Sequence, residues 1–157
     1  MRTPSPLPAL VLALTLAAPA AAFAAPVSDM QVTVGPKLAA KAHDYGQRDL
    51  EYLTKTLQAD VERALKAKGE LGHGERLIVV IVDAVPNRPT FAQLSANPSL
   101  SMRSVGVGGA TIEAHLGAST INYSFWENDI RNERGSGTWS DAEVAFDGFA
   151  HRVADAH

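Results

Sequence analysis

The chain has 157 residues, 46% of them hydrophobic, and a formal net charge of −3. Its acidic balance, with no Lys/Arg block, lacks the electrostatic footprint of a nucleic-acid binder, so no nucleic-acid partner is expected. It has no cysteine, which excludes disulfides, thiol catalysis, thiolate metal sites and lipidation of an N-terminal cysteine.

The first segment, "MRTPSPLPALVLALTLAAPAAAFAAPVSD", places Arg2 before an apolar run from Leu10 to Ala18. Pro19 breaks the run, and Ala22-Phe23-Ala24 supplies a small-x-small cleavage pattern. This reads as a secretory signal peptide over residues 1–24. The run is shorter than the roughly 20 apolar residues that span a bilayer, so no permanent membrane anchor is expected. Residues 25–157 would then form a single exported domain, periplasmic or secreted, large enough for one core.

In "DMQVTVGPK", Met30, Val32 and Val34 alternate with Gln31 and Thr33, a short strand ended by Gly35-Pro36. "LAAKAHDYGQ" is a connector with weak signals. "RDLEYLTKTLQADVERALKAKGELGHG" is the clearest helix. Leu50, Leu53, Leu57, Val61, Ala64 and Leu65 fall on one face, Glu62 precedes Lys66 by one turn, and Gly69 marks the end. "RLIVVIVDA" has six consecutive apolar residues, a strand expected to be covered on both faces and to lie parallel to the first. In the proline-rich loop that follows, Thr90 and Gln93 have the spacing of a capping box for one helical turn.

"SVGVGGATIEA" raises the choice between a phosphate-cradling turn and a strand. A dinucleotide fingerprint would need a third glycine at Thr111 and a helix after it; instead "ATIEAHL" alternates with period two. The apolar phase slips by one residue across Gly108-Gly109, which predicts a β-bulge that returns Val105 and Val107 to the face of Ala110, Ile112, Ala114 and Leu116. Gly117-Ala118 fits a two-residue hairpin turn. Ile121, Tyr123 and Phe125 then face one way, and Asn122, Ser124 and Trp126 the other. In "TWSDAEVAFDGFAHRVADAH", Ser140 and Glu143 suggest a capping box, with Trp139 and Val144 as its staple. Ala142, Phe146, Phe149 and Val153 form the buried stripe, and Gly148 allows close packing on the sheet.

The expected fold is α+β, a single two-layer domain in the order β-α-β-β-β-α, with about four strands and two helices packed on one face. A short strand, the helix "LEYLTKTLQADVERAL", the strand "RLIVVIVDA", a glycine-interrupted hairpin and a C-terminal helix together resemble small exported proteobacterial domains of unknown function. The order is similar to accessory domains of cell-envelope proteins, including the N-terminal domain of the Tol-system propeller protein. This resemblance is topological and spans most of residues 25–157. It implies an envelope-associated, non-catalytic role and carries over no catalytic residue.

No constellation signals a cofactor, a metal or a catalytic set. His43, His73, His115, His151 and His157 form no H-x-x-x-H pair and read as surface histidines. Glu127, Asp129 and Glu133, interleaved with Arg131 and Arg134, read as a solvated loop rather than an acid–base pair. The candidate partner-binding surface is the outward face of the hairpin: Thr111, Glu113 and His115 on one strand, with Asn122, Ser124 and Trp126 on the next. The second side of the apolar strand needs cover from the 85–101 loop, a second copy or a partner, and the loop is the simplest of these. The function expected is that of a binding or structural module of the envelope, its partner an envelope protein or the chain itself. The alternative is a small exported hydrolase whose site the sequence does not reveal.

Overall fold

A computed structural model describes residues 26–132, 135 and 137–156. The expected signal segment, Glu133, Arg134, Ser136 and His157 lie outside the described residues.

Strand β1 (Val27–Val34) pairs parallel with β2 (Leu71–Val85). Strands β3 (Gly109–Leu116) and β4 (Ser119–Trp126) follow antiparallel, giving the order β1-β2-β3-β4. Helices α1 (Pro36–Ala39), α2 (Ala42–Tyr45) and α3 (Gln47–Lys68) form the crossover from β1 to β2. Helix α4 (Phe91–Ala96) lies between β2 and β3, and a 3-10 turn (Ile130–Asn132) and α5 (Ser140–Asp155) follow β4. The expected α+β domain is present, with three short helices in addition to the two long ones.

The long helices form where apolar residues recur every three or four positions. Leu50, Leu53, Leu57, Val61 and Leu65 make the buried stripe of α3, which ends at Gly69 with φ +76°. Phe146, Phe149 and Val153, flanked by alanines, make that of α5. The two helices pack on each other; α3 meets β1 and β2, and α5 meets β3 and β4. Leu77, Val79, Ile81, Ile112 and Ala114 are fully buried beneath them. A Cβ added at Gly148 would run into the Tyr123 hydroxyl, so the absent side chain sets how closely α5 approaches β4.

The start of α5 differs from the sequence expectation. Trp139 occupies the cap position with no side-chain capping bond. The Ser140 hydroxyl turns back to Gly137, donating to its carbonyl at 3.2 Å and accepting from its N–H at 3.1 Å. Trp139 donates from Nε1 to Asp49 Oδ1 at 2.7 Å and meets Tyr45 edge-on, with centroids 5.5 Å apart. Glu143 accepts from the Tyr52 hydroxyl at 2.5 Å. Gly137 holds the Ser140 hydroxyl and Tyr52 of α3 holds the Glu143 carboxylate, so neither group closes a capping box. The capping box forms instead at Thr90 and Gln93, with bonds of 3.2 and 3.0 Å.

The expected bulge at Gly108-Gly109 is absent from β3. The strand begins at Gly109, residues 104–108 are outside the sheet, and Val107 is exposed. The register irregularity lies on β2, between Ile81 and Asp83 opposite Ile112 and Thr111, with Val82 as the extra residue. Gly109 is needed for another reason: its φ is +149°, and a Cβ there would strike the Phe125 carbonyl and lie 2.8 Å from Trp126 Cα.

Among the described residues, the apolar run of β2 is covered by long helices on one face only, since both fall on the same side. Ile78 lies beside Gln31 and His115, and Val80 beside Thr33 and Glu113, on the opposite face. The 85–101 loop does not close that face. Helix α4 packs against α2, and Asn87 donates its backbone N–H to Thr138 O at 3.0 Å and its Nδ2–H to Gly137 O at 3.3 Å. These bonds hold the loop against the end of the sheet, beside the start of α5.

Candidate functional site

The register of the β3–β4 hairpin brings all six expected surface residues onto the open face. Thr111 is opposite Ser124, Glu113 opposite Asn122, and Gly109 opposite Trp126, while His115 pairs with Thr120. Trp126 donates from Nε1 to Thr111 Oγ1 at 3.2 Å, and the Thr111 and Ser124 hydroxyls lie 3.0 Å apart. These bonds fix the indole on the sheet and leave Trp126 41% exposed. Strand β2 adds Ile78, also 41% exposed, with Val80 half-buried beside it. The face is therefore a polar ladder with two large apolar side chains open to solvent. Ile78 and Val80 are the members that sequence reasoning placed under cover. The signal for them is the polar side chain opposite each in the hairpin, His115 and Glu113.

One set of neighbouring side chains on this face could do chemistry. His115 Nε2 is 2.7 Å from Glu113 Oε1, and His115 Nδ1 is 3.1 Å from Thr120 Oγ1. With Nδ1 accepting from the Thr120 hydroxyl and Nε2 in ion-pair range of Glu113, the three stand in the order of a nucleophile, a base and its orienting acid. All three stand on the solvent side of the strands, where water screens the charges that such a set depends on.

The other expected residues are dispersed. His43, His73 and His151 are exposed and lie on α2, β2 and α5, outside the hairpin. Glu127 is nearly buried and accepts the N–H groups of Asn128 and Asp129 at 2.9 and 3.2 Å, which shapes the turn after β4. Asp129 pairs with Arg131 at 2.6 Å, and that guanidinium holds the Asp129 carboxyl below its ordinary range. Among the described residues, no three His, Asp or Glu side chains gather where they could hold a metal ion. The glycine-rich stretch offers no phosphate cradle, because the Gly108 N–H is already given to Asp141 Oδ2 at 2.9 Å. A carboxylate stands where a phosphate would need to be.

A second polar cluster, which the sequence did not reveal, closes the end of the sheet. Asp83 is buried at the β2 bulge with Lys37 Nζ and Lys41 Nζ 2.7 and 2.6 Å from its two oxygens. Burial pushes the Asp83 carboxyl up, and the hydrogen bonds from Lys37 and Lys41 more than offset it, so the group is held below its ordinary range. Burial likewise works against the charge on Lys41, and the bond to Asp83, the Asp83 charge and Tyr45 together more than offset it, which raises that ammonium. Both carboxylate oxygens are engaged by lysines, so the cluster fastens α1 and α2 to the strand. Asn87 and Asp141 do the same for the loop and α5, through a 3.3 Å bond from the Asp141 N–H to Asn87 Oδ1.

Comparison with known proteins finds no family model, no curated protein and no solved structure that matches this chain. Among the described residues, no helix is long and apolar enough to cross a membrane.

Proposed function

We propose that this chain is an exported, non-catalytic binding module of the cell envelope, and that the open sheet face is its contact surface for a protein partner. The observation that carries this reading is a face of a four-stranded sheet that carries no long helix among the described residues, on which Ile78 and Trp126 stand open among polar side chains that already satisfy one another. A rigid, half-exposed tryptophan at the edge of a polar ladder has the character of an interface anchor. Export is supported by the Arg2-led apolar run and the Ala22-Phe23-Ala24 pattern.

The test is site-specific photo-cross-linking in expressing cells. A photoreactive phenylalanine at position 126 is expected to give one discrete adduct in the envelope fraction. The same probe at Tyr52, exposed on the helical side, is expected to give none. Equal labelling from both positions, or no adduct from 126, would overturn the reading. Protein isolated from the same cells is expected to begin near Ala25; protein retaining Met1 in the membrane fraction would remove the export step.

A second reading, a small exported hydrolase, draws on the Thr120–His115–Glu113 chain. Hydrolysis of an activated ester that is lost in both Thr120→Ala and His115→Ala, with melting unchanged, would favour it over the binding module.

A further inference from the structure

The two edges of the sheet differ. Strand β1 carries Asp29, tied to Arg76 at 2.9 Å, and its pairing with β2 is irregular at Val27. Strand β4 has no charged side chain, no proline and no irregularity in its register. Charges, prolines and bulges are the devices that keep an edge strand from pairing with another strand. β1 is protected in this way and β4 is not.

The ladder shows which main-chain groups β4 leaves open. The Glu127 N–H donates to Gly108 O at 3.0 Å, one step beyond the Gly109–Trp126 pair. Bonded and non-bonded pairs alternate along an antiparallel ladder. The odd-numbered residues of β4 therefore turn their N–H and C=O groups to β3, and Thr120, Asn122 and Ser124 turn theirs outward. Among the described residues, no other element hydrogen-bonds to the main chain of these three. Cover also thins at this edge on the helix side. Ala110, Ile112 and Ala114 of β3 are fully buried, whereas Phe125, Tyr123 and Ile121 opposite them are half-buried.

We propose that β4 pairs antiparallel with β4 of a second copy of this chain about a two-fold axis, joining the two sheets into one. What the edge accepts is an uncharged extended segment with apolar side chains at alternate positions, and β4 is itself such a segment. The two-fold axis keeps the helices of both copies on one side, so residues of the same face stand opposite each other. With Tyr123 opposite its own copy, Ile121 meets Phe125 of the second copy, and every apolar side chain on the helix side of the strand faces another. No other symmetric register achieves this. The same register sets Asn122 opposite Ser124 of the second copy, where the outward main-chain groups bond to each other. The two copies of α5, each packed on β3 and β4, would stand about 10 Å apart, two strand spacings and an ordinary distance for packed helices. The open sheet face stays free on both copies, and neither proposal depends on the other.

The test is the mass of the purified protein in solution, by sedimentation equilibrium over a wide range of concentration. A two-chain mass is expected at the upper end. Asn122→Pro removes an outward N–H that β3 does not use, so the fold is expected to survive and the dimer to weaken about tenfold or more. Asn122→Lys places a charge at an exposed position on the edge and is expected to do the same while keeping the N–H. Ile78→Thr, on the open face, is expected to leave the dimer unchanged. The chain has no cysteine, so Tyr123→Cys is expected to form an interchain disulfide on mild oxidation, and Gln31→Cys, on β1, to form none. A single-chain mass at every concentration, a full-strength dimer in Asn122→Lys, or equal disulfide formation at positions 31 and 123 would each overturn the proposal. Loss of the dimer in Ile78→Thr would do so too, by placing the contact on the open face.

Discussion

On β2, Leu77, Val79 and Ile81 are fully buried, while Ile78, between the first two, is 41% exposed. Both faces of this strand are apolar in sequence, and among the described residues only one has a long helix on it. The difference arises in the connections. The crossover from β1 to β2 places α3 on one side, and the β3–β4 hairpin brings no helix of its own to the other. Helix α5 returns beside α3 because the two apolar stripes bury each other as well as the sheet. An apolar strand therefore reports how much cover it can use, and the topology decides how much it receives.

The largest expected effect breaks the covered face. Phe149→Ala should cost about 3–5 kcal/mol and Leu57→Ala about 2–5 kcal/mol in urea melts, through lost transfer energy and the cavity left behind. Trp126→Ala, on the open face, should cost much less despite removing a larger side chain. Similar losses at all three sites would mean that the two faces are equally covered in solution.

Much of this fold was legible because it follows from periodicity. The Leu50–Leu65 stripe, the alternation of Met30, Val32 and Val34, and the Gly117-Ala118 turn each signal their element locally, and the hairpin register then follows from the turn. The six-residue surface was legible for the same reason. The missed features depend on contacts distant in sequence. Nothing near Asp83 announces that Lys37 and Lys41 reach it across more than 40 positions. Gly109 sits at a phase change that mimics a bulge, while its actual constraint is the backbone of Phe125 and Trp126. The Ser140–Glu143 box failed because Tyr52, on α3, holds Glu143.

The next two effects test the fastenings between the faces. Asp83→Ala removes two charge-assisted hydrogen bonds and should cost about 1.5–3 kcal/mol. Because the folded Asp83 carboxyl titrates below its ordinary value of 3.8, its contribution is complete above that pH and is lost as the pH falls through the folded value. Acid melts should therefore show a loss below about pH 4 that is smaller in Asp83→Asn; identical acid profiles would mean that the lysines do not hold the carboxylate. Gly109→Ala should cost about 1–3 kcal/mol from the unfavourable φ and the crowding at β4. A neutral effect would mean that β3 starts elsewhere.

The smallest expected effect is the most telling about the open face. Ile78→Thr keeps the branched Cβ that suits a strand and its methyl, and exchanges a partly wet ethyl arm for a hydroxyl that water can reach. On a bare face the change should fall within about 0.5 kcal/mol, the range of ordinary surface substitutions. If a second copy covered the face in solution, the same hydroxyl would enter an apolar contact and cost more than about 1 kcal/mol. The melting temperature of the unmodified protein would then also rise with its concentration, because association stabilises the folded chain by mass action. Melts at two concentrations well apart, with and without Ile78→Thr, separate the cases. A small, concentration-independent change leaves the face free for a partner, whereas a large one that grows with concentration makes the partner another copy of this chain.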